Sequence, residues 1–242
     1  MRVALVTLLM GIPALSNVAG AHSPPLWTFT VTNGGSMPIS PGVLYLTRSS
    51  SGLEGLGSPA SAGLVQLCQM GNPTGRAAEL ATSSAVRRVV KTDGPILPGA
   101  SRSTQFRATP RDFNGLHFVA MYGKTKDTCA TISVGKVELW AAAGGAPHVV
   151  EGSDRVIATG AFREAVLPTG ERGDAICANQ NSAVDCLRQL AIPADGAALV
   201  RAGRAYLPSV THFLESRYGA EDTQSVIFST AGALSYRLEV SR

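Results

Sequence analysis

Apolar and polar residues alternate with a period of two from Trp27 onward. Trp27, Phe29 and Val31 fall on one side and Thr28, Thr30 and Thr32 on the other, which predicts a strand with one buried face. Asn33-Gly34-Gly35 ends it in a turn. Pro38-Ile39-Ser40-Pro41-Gly42 is a proline-stiffened approach to a second strand, Val43 to Thr47. Leu116, Phe118, Ala120 and Tyr122 interleave with His117, Val119 and Met121, and a run apolar on both sides predicts a central strand. Further strands are predicted around Ser103 to Ala108, over Val134 to Trp140, and near 155–159, 204–210 and 225–229. The last strand is as clear as the first: Leu234, Tyr236, Leu238 and Val240 face one way, Ser235, Arg237 and Glu239 the other.

Two short helices interrupt this pattern. Ser58-Pro59 has the chemistry of a helix N-cap followed by proline at the first helical position. Leu64, Leu67 and Cys68 then share a face, and Gly71 supplies the stop. A second helix is predicted over Arg76 to Ala85. Seven or eight short strands with turns between them predict an all-β chain, an antiparallel β-sandwich with one or two short helices. No internal repeat or linker divides residues 22–242, which are read as a single domain.

The first 21 residues follow a different rule. Arg2 precedes an apolar run from Val3 to Leu15, and Ala19-Gly20-Ala21 offers small residues for cleavage. This is the pattern of a secretory signal peptide, and the run is shorter than the about 20 apolar residues that a membrane span needs. The expected setting is secreted or periplasmic, with no transmembrane segment in the mature chain. Four cysteines in an exported chain predict two disulfides, for which three connectivities exist. The short polar loop between Cys177 and Cys186 favours joining those two, which leaves Cys68 for Cys129. The net charge of +4 is modest and scattered. Its tightest group, Arg87, Arg88 and Lys91, has no interleaved aromatics and reads as a solvated face, so no nucleic-acid partner is expected.

The order of several short segments resembles the spondin N-terminal domain family. Phe29-Thr30-Val31-Thr32-Asn33, then Pro38-Ile39-Ser40-Pro41-Gly42-Val43, is similar to that domain's opening, and Gly57-Ser58-Pro59-Ala60-Ser61-Ala62-Gly63-Leu64 continues it. Pro98-Gly99 before a strand, Thr125-Lys126-Asp127, and Gly135-Lys136-Val137-Glu138-Leu139 follow in order, covering residues 27–140. The resemblance implies an extracellular C2-like sandwich used in adhesion, with a calcium site among the loops at one end. Asp127 matches a family acid. The acidic segment that follows the next strand in the family is here Ala141-Ala142-Ala143-Gly144-Gly145-Ala146, and Glu151 and Asp154 are the nearest substitutes. Calcium needs several hard oxygen ligands, so its binding is in doubt here.

Other chemistries compete with adhesion. Cleavage after Ala21 makes His22 the mature N-terminus, and its amine and imidazole with a second histidine form a brace suited to Cu(II). The candidate second ligands are His117, His148 and His212, with His148 favoured because it follows the Ala/Gly loop. No Gly-x-Ser-x-Gly elbow or His-Glu-x-x-His helix is present, and a non-catalytic role is expected. Trp140, at a strand end, is the candidate contact residue for a glycan or protein surface. The leading expectation is therefore a binding or adhesion module that uses loops 33–42, 124–128 and 141–154 against an extracellular protein, glycan or lipid surface. A copper protein and a ligand-free structural envelope protein are the alternatives.

Overall fold

The structure is a computed structural model. It describes residues 23–35, 37–123, 128–136, 138–139, 149–158, 161–162, 177–183, 186, 191–192, 201–202, 215–220 and 231–241. The chain is all-β with short helices. Its strands are β1 (Leu26–Asn33), β2 (Val43–Thr47), β3 (Val86–Lys91), β4 (Ser101–Arg107), β5 (Gly115–Met121), β6 (Thr128–Val134), β7 (Val150–Ala158), β8 (Ala161–Phe162), β9 (Ala191–Ile192), β10 (Arg201–Ala202) and β11 (Ala231–Ser241). Helices α1 (Ala62–Met70) and α2 (Pro73–Thr82) lie between β2 and β3. One antiparallel sheet runs β3-β2-β5-β6-β7-β11-β1-β4, with β10 against β7; β8 and β9 pair separately.

This sheet curls into a half-barrel, so the two layers expected of a sandwich are halves of one continuous sheet. Phe29 of β1 and Phe118 of β5 lie four places apart in the strand order, yet their rings meet at 5.9 Å across the core. Trp27 is packed by Phe106 and Phe113, with its indole N–H donating to the Ala108 carbonyl at 2.8 Å. The burial of β1 and β11 follows their alternation. By contrast β2 and β5 are buried at every position, because α1 and α2 cover their outer face. Val43, Tyr45, Val119, Met121, Cys129 and Ile157 form that second cluster with Leu64, Leu67, Cys68 and Leu80 of the helices.

Disulfides join Cys68 to Cys129 and Cys177 to Cys186. The first ties α1 to β6 and so fixes the helical layer to the sheet.

Several boundaries differ from the sequence reading. Helix α1 is capped by Ser61, whose hydroxyl accepts from the Leu64 N–H, so Ser58-Pro59 belongs to the preceding loop. Helix α2 starts at Pro73 behind an Asn72 cap, earlier than predicted. The strand expected over Val134 to Trp140 ends at Val134. Lys136, Glu138 and Leu139 are helical instead, with the Glu138 carboxylate taking the Gly135 N–H at 2.6 Å. Arg87, Arg88 and Lys91, read as a solvated basic face, are exposed, and they lie on the edge strand β3. The strands expected at 204–210 and 225–229 lie outside the described residues.

The loop closed by Cys68–Cys129 spans 61 residues and that closed by Cys177–Cys186 spans 9. Loop-closure entropy puts the two at about 4 and about 2.5 kcal/mol. Thermal melts of the paired Cys→Ser variants should show the larger loss for Cys68–Cys129, and equal losses would contradict its role in holding the helical layer.

Candidate functional site

The strand order decides which loops share an end. Segment 33–42, segment 92–100 and the turn after β5 all leave the same end of the half-barrel, and hydrogen bonds lock them together. Ile39 forms isolated bridges to Ile96 on one side and Tyr122 on the other. Gly123 donates to the Pro38 carbonyl at 2.7 Å, an approach so close that a Cβ at residue 123 would sit 2.8 Å from that oxygen. Ser40 Oγ accepts the Met121 N–H at 2.9 Å.

Asn33 is the organiser of this end. It is wholly buried, and its Nδ2 donates to the carbonyls of Met37 at 2.7 Å and Ile96 at 3.0 Å. Its Oδ1 accepts the Gly35 N–H, and its backbone bonds to Gly99 and Ala100. One amide thus satisfies groups on both loops, as a buried polar side chain must. Helix α1 also ends here: Gly71 adopts φ 67°, and a Cβ at that position would sit 2.8 Å from the Ser40 Cβ. Two large apolar side chains stay exposed around this platform, Met70 at 66 % and Leu97 at 58 %.

The third expected loop belongs elsewhere. β6 and β7 are antiparallel with Thr128 opposite Ala158, so their connection runs from Val134 to Val150 at the opposite end. The two substitute carboxylates are also separated. Glu151 is exposed and pairs with Arg237 at 3.1 Å. Asp154 is buried, accepting from Tyr122 Oη at 2.7 Å and the Leu234 N–H at 3.1 Å. Burial pushes the Asp154 carboxyl above its ordinary range, while those hydrogen bonds pull it back. The pair lies on opposite faces of β7 and does not converge on one ion. Asp127, Trp140, His22, His148 and His212 lie outside the described residues. Among the described residues no three His, Cys, Asp or Glu side chains group as a metal cluster.

His117 is 1 % exposed, with Nε2 2.9 Å from Thr47 Oγ1 and Nδ1 3.0 Å from Ser133 Oγ. Because Thr47 donates its proton to the Ser49 carbonyl, Nε2 must carry the imidazole proton and Nδ1 accept from Ser133. Both nitrogens are committed to the fold. Burial pushes the imidazole pKa down to about 4.

A second polar group lies beneath the helices. Arg76 Nη2 meets Glu54 Oε1 at 2.6 Å with both side chains almost fully buried, and Tyr45 Oη donates to Glu54 Oε2. Burial and the Glu54 carboxylate push the Tyr45 phenol well above its usual range, so it remains a donor. Arg76 Nη1 reaches Ser61 Oγ and Glu79, while Glu79 accepts from Ser61 Oγ and the Gly63 N–H. All four carboxylate oxygens are engaged, and the group bolts loop 48–60 and both helices to β2. Neither Glu54 nor Asn33 stands out in the sequence: Glu54 is a lone acid in a Gly/Ser-rich loop, and Asn33 has the form of a turn residue. Arg76 and Glu79, three apart on a helix, are the readable part of the bolt.

No protein-family model matches the chain, and no curated protein matches its sequence.

Two measurements probe this arrangement. Asn33→Ala leaves the buried Met37 carbonyl without the Asn33 donor, while the Ile96 carbonyl keeps the Ile39 N–H, and should cost about 1–2 kcal/mol in denaturant unfolding; a loss within error of zero would remove its organising role. A histidine depressed in the fold is protonated first in the unfolded chain, so stability should fall as pH drops from about 6.5 to about 4. Asp154 acts with the opposite sign, holding its proton more tightly when folded. The difference between wild type and His117→Gln isolates the histidine, and parallel pH profiles would refute the assignment.

Proposed function

We propose that this chain is an exported, non-catalytic binding module of the spondin N-terminal type, which meets an extracellular protein or glycan surface with one end of its half-barrel. The observation that carries this reading is the clamped loop platform. Asn33, Ile39 and Gly123 hold two long connections rigidly in place, and Met70 and Leu97 are left exposed beside them. Rigid loops on a β scaffold lose little entropy on binding, and exposed apolar side chains supply contact area. The leader pattern of residues 1–21 and the two disulfides favour an oxidising compartment. Among the described residues no helix is long and apolar enough to cross a membrane.

Two linked experiments test the proposal. Mass spectrometry of protein exported by its own leader should find a chain beginning at His22, and an intact Met1 would replace the cleaved leader with an uncleaved N-terminal anchor. One equivalent of bound copper in that material would replace adhesion with the histidine-brace reading, and calcium would restore a family-type ion site. Binding to a panel of immobilised extracellular proteins and glycans should then fall roughly tenfold in Leu97→Asp. Binding that ignores this change would move the contact surface away from the loop end.

A further inference from the structure

The half-barrel is open between its two terminal strands, β3 and β4. In an antiparallel ladder alternate residues turn their backbone groups toward the partner strand. Asn33 N–H bonds to the Ala100 carbonyl at 2.9 Å, and Ala108 N–H to the Pro25 carbonyl at 3.3 Å. The even residues of β4 therefore bond to β1, and Ser101, Ser103, Gln105 and Arg107 turn their N–H and C=O groups outward. The Arg107 carbonyl confirms this, because it accepts a side-chain bond from Arg88 of β3 at 2.8 Å. On β3 the bond from Thr92 N–H to the Gly42 carbonyl fixes the same parity, so Val89 and Lys91 turn outward. Among the described residues no strand pairs with either edge.

Charge is one-sided at this opening. β3 carries Arg87, Arg88 and Lys91, β4 carries Arg102 and Arg107, and neither strand has a carboxylate. Among the described residues none of the five forms a salt bridge, and the acids that do form ion pairs all partner Arg76 or Arg237. Asp93, just past β3, is the nearest acid in sequence. Arg102 bonds to the Pro95 carbonyl through Nη2, and its buried Nε has no partner.

We propose that the open edge of β4 accepts an extended acidic peptide segment of a partner protein as an added strand, with the cations of β3 and β4 neutralising its carboxylates. Backbone pairing supplies affinity in strand addition, and flanking side chains select the sequence. The outward Ser101, Ser103 and Gln105 backbone groups supply the ladder, and the uncompensated charge selects against neutral and basic strands. This edge adjoins segment 92–100 of the loop end, but the proposal does not depend on the role of that end.

The test uses the intact disulfide-bonded protein and a fluorescent peptide alternating glutamate and threonine, followed by anisotropy. Proline is tolerated at an edge position whose N–H faces away from the sheet, so Ser103→Pro removes an outward donor without touching the β1 ladder. Ser103→Pro should weaken binding roughly tenfold while Ser103→Ala, which equally loses the bond to Thr30, leaves it unchanged. If Ser103→Pro fails to fold by circular dichroism, the exposed pair Arg87→Glu with Lys91→Glu decides, and the same loss is expected. No peptide binding, or binding indifferent to the decisive variant, overturns the proposal. So does equal binding of dextran sulfate that survives Ser103→Pro, since that marks a polyanion site using side chains alone.

Discussion

The structure depends on one constraint: a single sheet must bury both faces of its central strands. Curling closes the inner face, bringing Phe29 against Phe118. Nothing in the curl covers the outer face, so the two halves of the sheet solve that problem differently. Over β2, β5 and β6 the helices α1 and α2 form a second layer, held by the Cys68–Cys129 bridge. Over β1, β4 and β11 the outer face stays in water, and hydroxyl pairs such as Thr30 with Ser103 and Thr32 with Ser101 occupy it. The period-two pattern of β1 and the unbroken burial of β5 are the sequence records of these two solutions.

Buried polar groups then decide where the irregular segments go. Glu54 and Arg76 are costly to desolvate, and each is held by several partners from different segments: β2, α1, α2 and the loop before α1. Asn33 does the same for the loop end, and Asp154 draws the Leu234 N–H to β7 at a place where the register of β11 shifts. Such contacts add little net stability individually, but an alternative loop path would strand a buried charge or amide. Loop geometry in this chain is thus set by a few polar side chains acting on backbone groups distant in sequence.

That mechanism explains what the sequence discloses. Alternation is local, so β1, β5 and β11 are legible, as are the all-β class and the helix stop at Gly71. Pairings that join distant segments are not. Asn33 is linked to Ile96 across 63 positions, and no spacing rule announces such a bond. The error at 134–140 has a local cause: Val134 and Leu139 are both apolar and buried, but Gly135 and Glu138 close a helical turn between them. Loops 33–42, 124–128 and 141–154 were expected to make the contact surface, and the strand order puts the bounding strands of the first two at one end. It sends the β6–β7 connection to the other end because register, unlike periodicity, depends on which strands meet.

The basic side chains of β3 were read as a solvated face and are exposed, yet nothing local marks Val86–Lys91 as a sheet terminus. Placed at the opening of the half-barrel, their charge has a physical role. An exposed edge is a template for pairing, and proteins commonly guard it with cations. Here both edges are basic, so the edges of two copies repel each other in any combination: β3 with β3, β4 with β4, or β3 with β4. Within one chain the same repulsion resists closure, and among the described residues the Arg88 to Arg107 bond alone spans the two strands. A guard of one sign on both edges protects against self-association, yet it leaves the backbone ladder intact for a strand of the other sign. Protection and selectivity are then the same electrostatic term, differing only in the charge of the approaching segment.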